Sequence, residues 1–134
     1  MNIVLDTNIV MSIIIKPNGK IHFLFDGLAQ THKLFISEIT LIELANHHSK
    51  LLKFTKLTIR DFEVFKTELL KRLDIVSSEF LSDDILLQSY NLVSGVDEND
   101  IAFVASAIFV GGGLWTGDKL LYNSLQNTDL FENL

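Results

Sequence analysis

The sequence predicts a single α/β domain, a three-layer sandwich in which a parallel sheet of four to five strands lies between helices. Three observations predict it. Short apolar runs with β-branched content recur along the chain and alternate with longer stretches whose apolar residues return every three or four positions. Strands that alternate with helices in this way pair in parallel through right-handed crossovers. The first run, Ile3-Val4-Leu5, is apolar at every position and so reads as a strand buried on both faces.

Each element has its own justification. Asp6-Thr7-Asn8 ends the first strand with a carboxylate at its carboxyl end, the edge at which open α/β sheets bind ligands. Residues 9–15 suit a short helix closed by Pro17-Asn18-Gly19. Ile21, Leu24, Phe25 and Leu28 have helical spacing within 19–33. Leu34-Phe35-Ile36-Ser37 is a second strand. From Glu38 a long helix is expected, with Ile39, Ile42, Ala45 and Leu52 on one side, until Leu57-Thr58 interrupts it. Thr58 with Asp61 has the cap-and-acid pattern of a new helix start, continued by Phe62, Phe65, Leu69 and Leu73. Asp74-Ile75-Val76-Ser77 reads as a third strand. Ser82-Asp83-Asp84 opens a helix carrying Ile85, Leu86, Tyr90 and Val93 that ends at Gly95. Asp97-Glu98-Asn99-Asp100 opens an apolar helix over 101–110, which Gly111-Gly112-Gly113 stops. Leu114-Trp115-Thr116 is the fourth strand, 118–125 a last helix, and Leu130-Phe131 an edge strand. No internal repeat is visible.

Composition narrows the function classes. The 134 residues, 48% of them hydrophobic, suffice for one domain with a substantial core, and one proline with seven glycines leaves no linker, so 1–134 is expected to be one domain. There is no apolar run of about 18 residues, as a membrane span needs, and no basic-then-apolar start. The expectation is a cytoplasmic protein. Without cysteine, disulfides, thiolate nucleophiles and sulfur-ligated metals drop out. A net charge of -6 argues against holding nucleic acid by bulk positive potential. That objection weakens if the acids gather in one site that a cation neutralises.

Each acid has an ordinary explanation. Asp6 with Thr7, and Thr116 with Asp118, could cap the helices that follow, a role worth about 1 kcal/mol each. Asp97 and Asp100 suit a first helical turn, and Glu43 could pair with His47 one turn on. Together they say more. Asp6 and Asp118 end strands at the same sheet edge, Asp100 opens the helix leading to the second of those strands, and Glu43 can lean over that edge. Carboxylates brought so close would repel unless a cation were present, and Mg²⁺ or Mn²⁺ suits oxygen ligands. His47 and His48, being adjacent, point to different helix sides and are no metal pair. Lys50, Lys53, Lys56 and Arg60 recur every three or four positions; a solvated face is the preferred reading, and Lys119 is the better single candidate for a substrate phosphate contact. The ten phenylalanines sit mostly at core spacing.

The motifs Val4-Leu5-Asp6-Thr7-Asn8, Ile42-Glu43-Leu44, Asp97-Glu98-Asn99-Asp100-Ile101-Ala102-Phe103-Val104-Ala105 and Trp115-Thr116-Gly117-Asp118-Lys119-Leu120 resemble the PIN domain, in the right order and over nearly the whole chain. The resemblance implies a PIN-like sheet of order 3-2-1-4-5 and a metal-dependent, single-strand-specific endoribonuclease that leaves a 5'-phosphate and a 3'-hydroxyl. It implies Asp6, Glu43, Asp100 and Asp118 as the catalytic residues that hold Mg²⁺ or Mn²⁺. Asp97 would be an auxiliary ligand, and Asn8 and Thr116 polar supports. It also implies the toxin of a type II toxin-antitoxin pair, with an antitoxin wrapping the helices between 46 and 73, and a homodimer to which helix 101–110 could contribute. A haloacid-dehalogenase-type hydrolase would need an acid where Asn8 stands. The alternative is a catalytically silent PIN-like subunit that binds RNA or protein.

Overall fold

The computed structural model describes residues 1–93 and 98–117. The chain runs Asn2–Leu5 (β1), Thr7–Ile15 (α1), Lys20–Ala29 (α2), Lys33–Ser37 (β2), Glu38–Asn46 (α3), His48–Phe54 (α4), Ile59–Lys71 (α5), Asp74–Val76 (β3), a 3-10 turn at Ser78–Phe80, Asp83–Leu92 (α6), Glu98–Val110 (α7) and Gly113–Trp115 (β4). The four strands form one sheet in the order β3-β2-β1-β4, every pair parallel. The expected last helix and edge strand, over 118–125 and at Leu130-Phe131, lie outside the described residues.

Side-chain alternation along β1 sorts the core into two layers. Ile3 and Leu5 point to one face, where they join Ile13, Phe25, Ile36, Leu51 and Phe62 from α1, α2, β2, α4 and α5. Val4 points to the other, against Phe103, Val104 and Ala107 of α7 and Leu114 of β4. Ile3, Val4 and Leu5 are all fully buried, as a strand covered on both faces must be. Ala105, Ser106 and Ala107 are fully buried too; such small side chains let α7 lie close on the sheet.

The helix that leads to β4 ends on two glycines with separate duties. Gly111 adopts φ +66, a left-handed conformation that terminates α7, and the Gly112 N–H donates to the Ala107 carbonyl at 3.0 Å. Gly112 backs onto β1, and a Cβ there would lie 1.9 Å from the Asn2 carbonyl oxygen. Asn2 in turn donates through Nδ2 to the Val110 carbonyl at 2.8 Å, closing the end of α7.

Several boundaries and faces differ from those expected. The helix from Glu38 breaks at His47 into α3 and α4, and α2 stops at Ala29. On α3 the buried residues are Thr40 and Leu44, while Ile42 is 55% exposed and Ala45 is exposed. The physical reason is that α3 is turned so that Thr40 and Leu44 face inward, which leaves Ile42 and Ala45 outside while Ile39 still packs on the core. On α6 the buried pair at its end is Ser89 and Val93, while Leu86 and Tyr90 are exposed, and the helix ends at Leu92 rather than Gly95. β4 begins one residue early, at Gly113. Lys50, Lys53, Lys56 and Arg60 are all exposed but fall on two helices and the turn between them, as a solvated surface would. On α7, Phe103, Val104 and Ala107 are core, whereas Phe109 is 45% exposed and stacks on Phe80 at 5.6 Å. Thr58 caps α5 as its pattern indicated, accepting from the Asp61 N–H at 3.1 Å. No helix among the described residues is long and apolar enough to cross a membrane.

Gly112→Ala is expected to destabilise the fold by about 3 kcal/mol, since backbone must move to admit the methyl, whereas Gly27→Ala, with nothing within 4 Å of the new Cβ, should stabilise α2 by about 0.5 kcal/mol. Urea denaturation of both variants checks the contrast. A pH dependence is expected at Glu38, whose carboxylate accepts from the Ser78 hydroxyl and, at 3.0 Å, from the Ser78 N–H, holding its pKa below the ordinary value of 4.5. A lowered folded-state pKa contributes stability above that ordinary value and loses it as pH falls through the folded value. The Glu38→Gln variant should therefore be less stable than wild type at neutral pH, with the difference closing as the solution is acidified below pH 4.5.

Candidate active site at the carboxyl edge of the sheet

Asp6 stands where β1 leaves the sheet. Leu5 pairs with Ile36 on one side and Trp115 on the other, and the Asp6 N–H extends the ladder by one bond to the Trp115 carbonyl at 3.1 Å. Its Oδ1 accepts from the Ile9 N–H at 3.0 Å and so caps α1. Its Oδ2 accepts from the hydroxyl of Thr116, which β4 delivers from 110 residues away. The side chain is 3% exposed. A cap can be made at the surface by serine or asparagine, whereas a buried carboxylate must recover the hydration it loses. Capping describes what Asp6 does to α1 without explaining why a charge is buried there.

The next residue carries the link to the second acid. Thr7 opens α1, is 3% exposed, and donates its hydroxyl proton to Glu43 Oε1 at 2.8 Å. The Thr7 hydroxyl oxygen also lies 2.9 Å from that of Thr40, which is fully buried. Thr40, Glu43 and Leu44 share one face of α3 because helical neighbours recur three and four positions apart. The turn from β2 into α3 sets that face: Ser37 ends the strand and its hydroxyl accepts from the Ile39 N–H at 3.2 Å. Glu43 does lean over the sheet edge, flanked by Thr40 and Leu44 instead of the expected apolar arc, and it engages Thr7 rather than His47.

Asp100 lies in the first turn of α7 and is 8% exposed. The other end of α7 is pinned to Asn2 at the amino edge of the sheet. Ten residues of helix from Val110 back to Asp100 span ~15 Å, and four residues of strand from Asn2 to Asp6 span ~13 Å. α7 packs against β1, so this brings Asp100 to about the level of Asp6. Asn8 is exposed in the first turn of α1, and Thr116 is half-buried beside Asp6. Asp97, Asp118 and Lys119 lie outside the described residues.

The described residues thus bring Asp6 and Glu43 to neighbouring positions at the carboxyl end of β1, joined through Thr7, and set Asp100 at their level. Among them no group of three acids or histidines is close enough to hold an ion. The donor chemistry nonetheless fits a hard divalent cation: the groups are carboxylates, two of the three are almost buried, and the chain has no cysteine to offer a softer ligand. Two residues that the sequence did not single out hold the arrangement, Thr7 beyond its part in a cap and Thr40. The signal that could have found Thr40 is its spacing of three from Glu43 and four from Leu44, which puts all three on one helix face.

Comparison with known proteins bears on the fold and the family. Among curated proteins no sequence matches significantly. The structure is similar to a chain in a crystal structure of VapBC2 from Rickettsia felis bound to a DNA fragment from their promoter. The TM-score is 0.61 and the identity 22%, with 88% of each chain covered. At that identity the likeness speaks for the fold. The family model described as PIN domain matches residues 4–131, so that Asp6, Glu43 and Asp100 all fall within it. The chain belongs to the PIN domain family.

Proposed function

We propose that this protein is a Mg²⁺- or Mn²⁺-dependent endoribonuclease that hydrolyses single-stranded RNA, and that it is the toxin of a type II toxin-antitoxin pair. The observation that carries the reading is the joining of Asp6 and Glu43, from separate segments, through Thr7 at the carboxyl edge of a parallel sheet in a PIN domain. In this reading Asp6, Glu43, Asp100 and Asp118 are the catalytic metal ligands, with Asp97 auxiliary. When bound, the ion supplies an activated water and neutralises charge on the leaving oxygen. The chain's own residues do the rest. Thr116 fixes the Asp6 carboxylate, Thr7 fixes that of Glu43, Asn8 offers an exposed polar support in the first turn of α1, and Lys119 meets a substrate phosphate. No protein nucleophile is required, which suits a chain without cysteine.

The likeness to a chain of a VapBC2 structure that includes promoter DNA supports an antitoxin partner. A homodimer belongs to the same reading. The net charge of -6 weighs against holding RNA by bulk positive potential, an objection that lessens where the acids gather around an ion that offsets them.

The test compares wild type with Asp6→Asn and Asp100→Asn on a mixed RNA pool in Mg²⁺, in Mn²⁺ and in chelator. Cleavage should require the ion and fall by about a hundredfold or more in each variant. Asparagine caps helices as well as aspartate, so Asp6→Asn should keep the α1 cap and unfold within about 1 kcal/mol of wild type. Cutting that survives either substitution would place the chemistry elsewhere, and ion binding without cleavage in wild type would mark a silent PIN-like subunit.

A further inference from the structure

Resting on that reading, we infer that Thr40 is a positioning residue that sets the affinity of the site for its divalent ion, acting through Thr7 on Glu43. Direction follows from counting protons. Thr7 has one hydroxyl proton, and an ionised Glu43 carboxylate only accepts, so that proton goes to Oε1 across 2.8 Å. Between the two threonines, 2.9 Å apart, Thr40 is then the donor. The result is a one-way chain, Thr40 to Thr7 to Glu43. Each bond polarises the next, and burial strengthens both because Thr40 is fully buried and Thr7 is 3% exposed.

Two other fully buried hydroxyls on helices use their protons differently. Ser89 and Ser106, which are fully buried helical hydroxyls as well, donate within their own helices, to the carbonyls of Ile85 at 2.7 Å and Ala102 at 2.8 Å. That is the ordinary recourse of a helical hydroxyl. Thr40 instead reaches across from α3 to α1 and meets the residue next to Asp6. One carboxylate oxygen of Glu43 is thereby fixed relative to the Asp6 backbone. A hydrogen bond that orients a ligating carboxylate typically changes metal affinity or activity by about ten- to a hundredfold when lost.

Calorimetric titration of the full chain with Mn²⁺ tests this. Thr40→Val should raise the Mn²⁺ dissociation constant about tenfold. Thr40→Ser, which keeps the hydroxyl, should restore wild-type affinity. Ser89→Ala removes a buried hydroxyl from α6 and should leave Mn²⁺ affinity unchanged, which separates positioning from a general loss of stability. Unchanged affinity in a folded Thr40→Val, or an equal loss in Ser89→Ala, overturns the inference while Asp6→Asn still weakens Mn²⁺ binding. If Asp6→Asn has no effect either, the metal site itself is wrong and this inference falls with it.

Discussion

A carboxylate buried at the end of the central strand is the constraint around which this molecule is arranged. Asp6 is 3% exposed, and a buried charge is tolerated only when its oxygens are supplied with donors. Here the donors come from near and far along the chain. The α1 backbone serves Oδ1 through Ile9, and the Thr116 hydroxyl serves Oδ2. Meeting the second demand requires β4 to lie beside β1, which the register from Ile3 and Gly113 to Leu5 and Trp115 achieves. The requirement for one hydroxyl thus ties a late part of the chain to the sheet's centre.

Close approach at the opposite edge makes that register hold. Gly112 touches the backbone of Asn2 so tightly that no side chain fits, and the Asn2 side chain closes the end of α7. With one end of α7 pinned there, the helix length carries Asp100 to the level of Asp6. Small buried residues along α7 let it lie against Val4 over that distance. Contacts remote from the acids therefore decide how the acids stand.

The other layer performs the same task for Glu43. Ser37 starts α3 at the end of β2, one strand over from Asp6, and the helix turns Thr40 and Glu43 towards α1. Leaving Ile42 and Ala45 outside is the consequence of that orientation, since a helix has one inward face and here Thr40, Glu43 and Leu44 occupy it. The hydroxyls of Thr7 and Thr40 make the inward polar face tolerable by partnering each other and the carboxylate.

The alternation of strands with helices as far as β4, the buried first strand, the cap at Thr58 and the placing of Asp6 at a strand end were legible in the sequence. They depend on local period and local hydrogen bonding, which a stretch of a few residues encodes. The motifs around Asp6, Glu43 and Asp100 were legible too, and the PIN family match runs through all three. The break at His47, the inward face of α3 and the exposed Leu86 and Tyr90 were not, because hydropathy counts apolar residues without knowing which face a neighbour covers. The tertiary structure alone decided that Thr7 and Thr40 would meet and that Thr116 would answer Asp6. Those hydrogen bonds join segments 33 and 110 residues apart, and no local preference records a partner that only the packed sheet brings within reach.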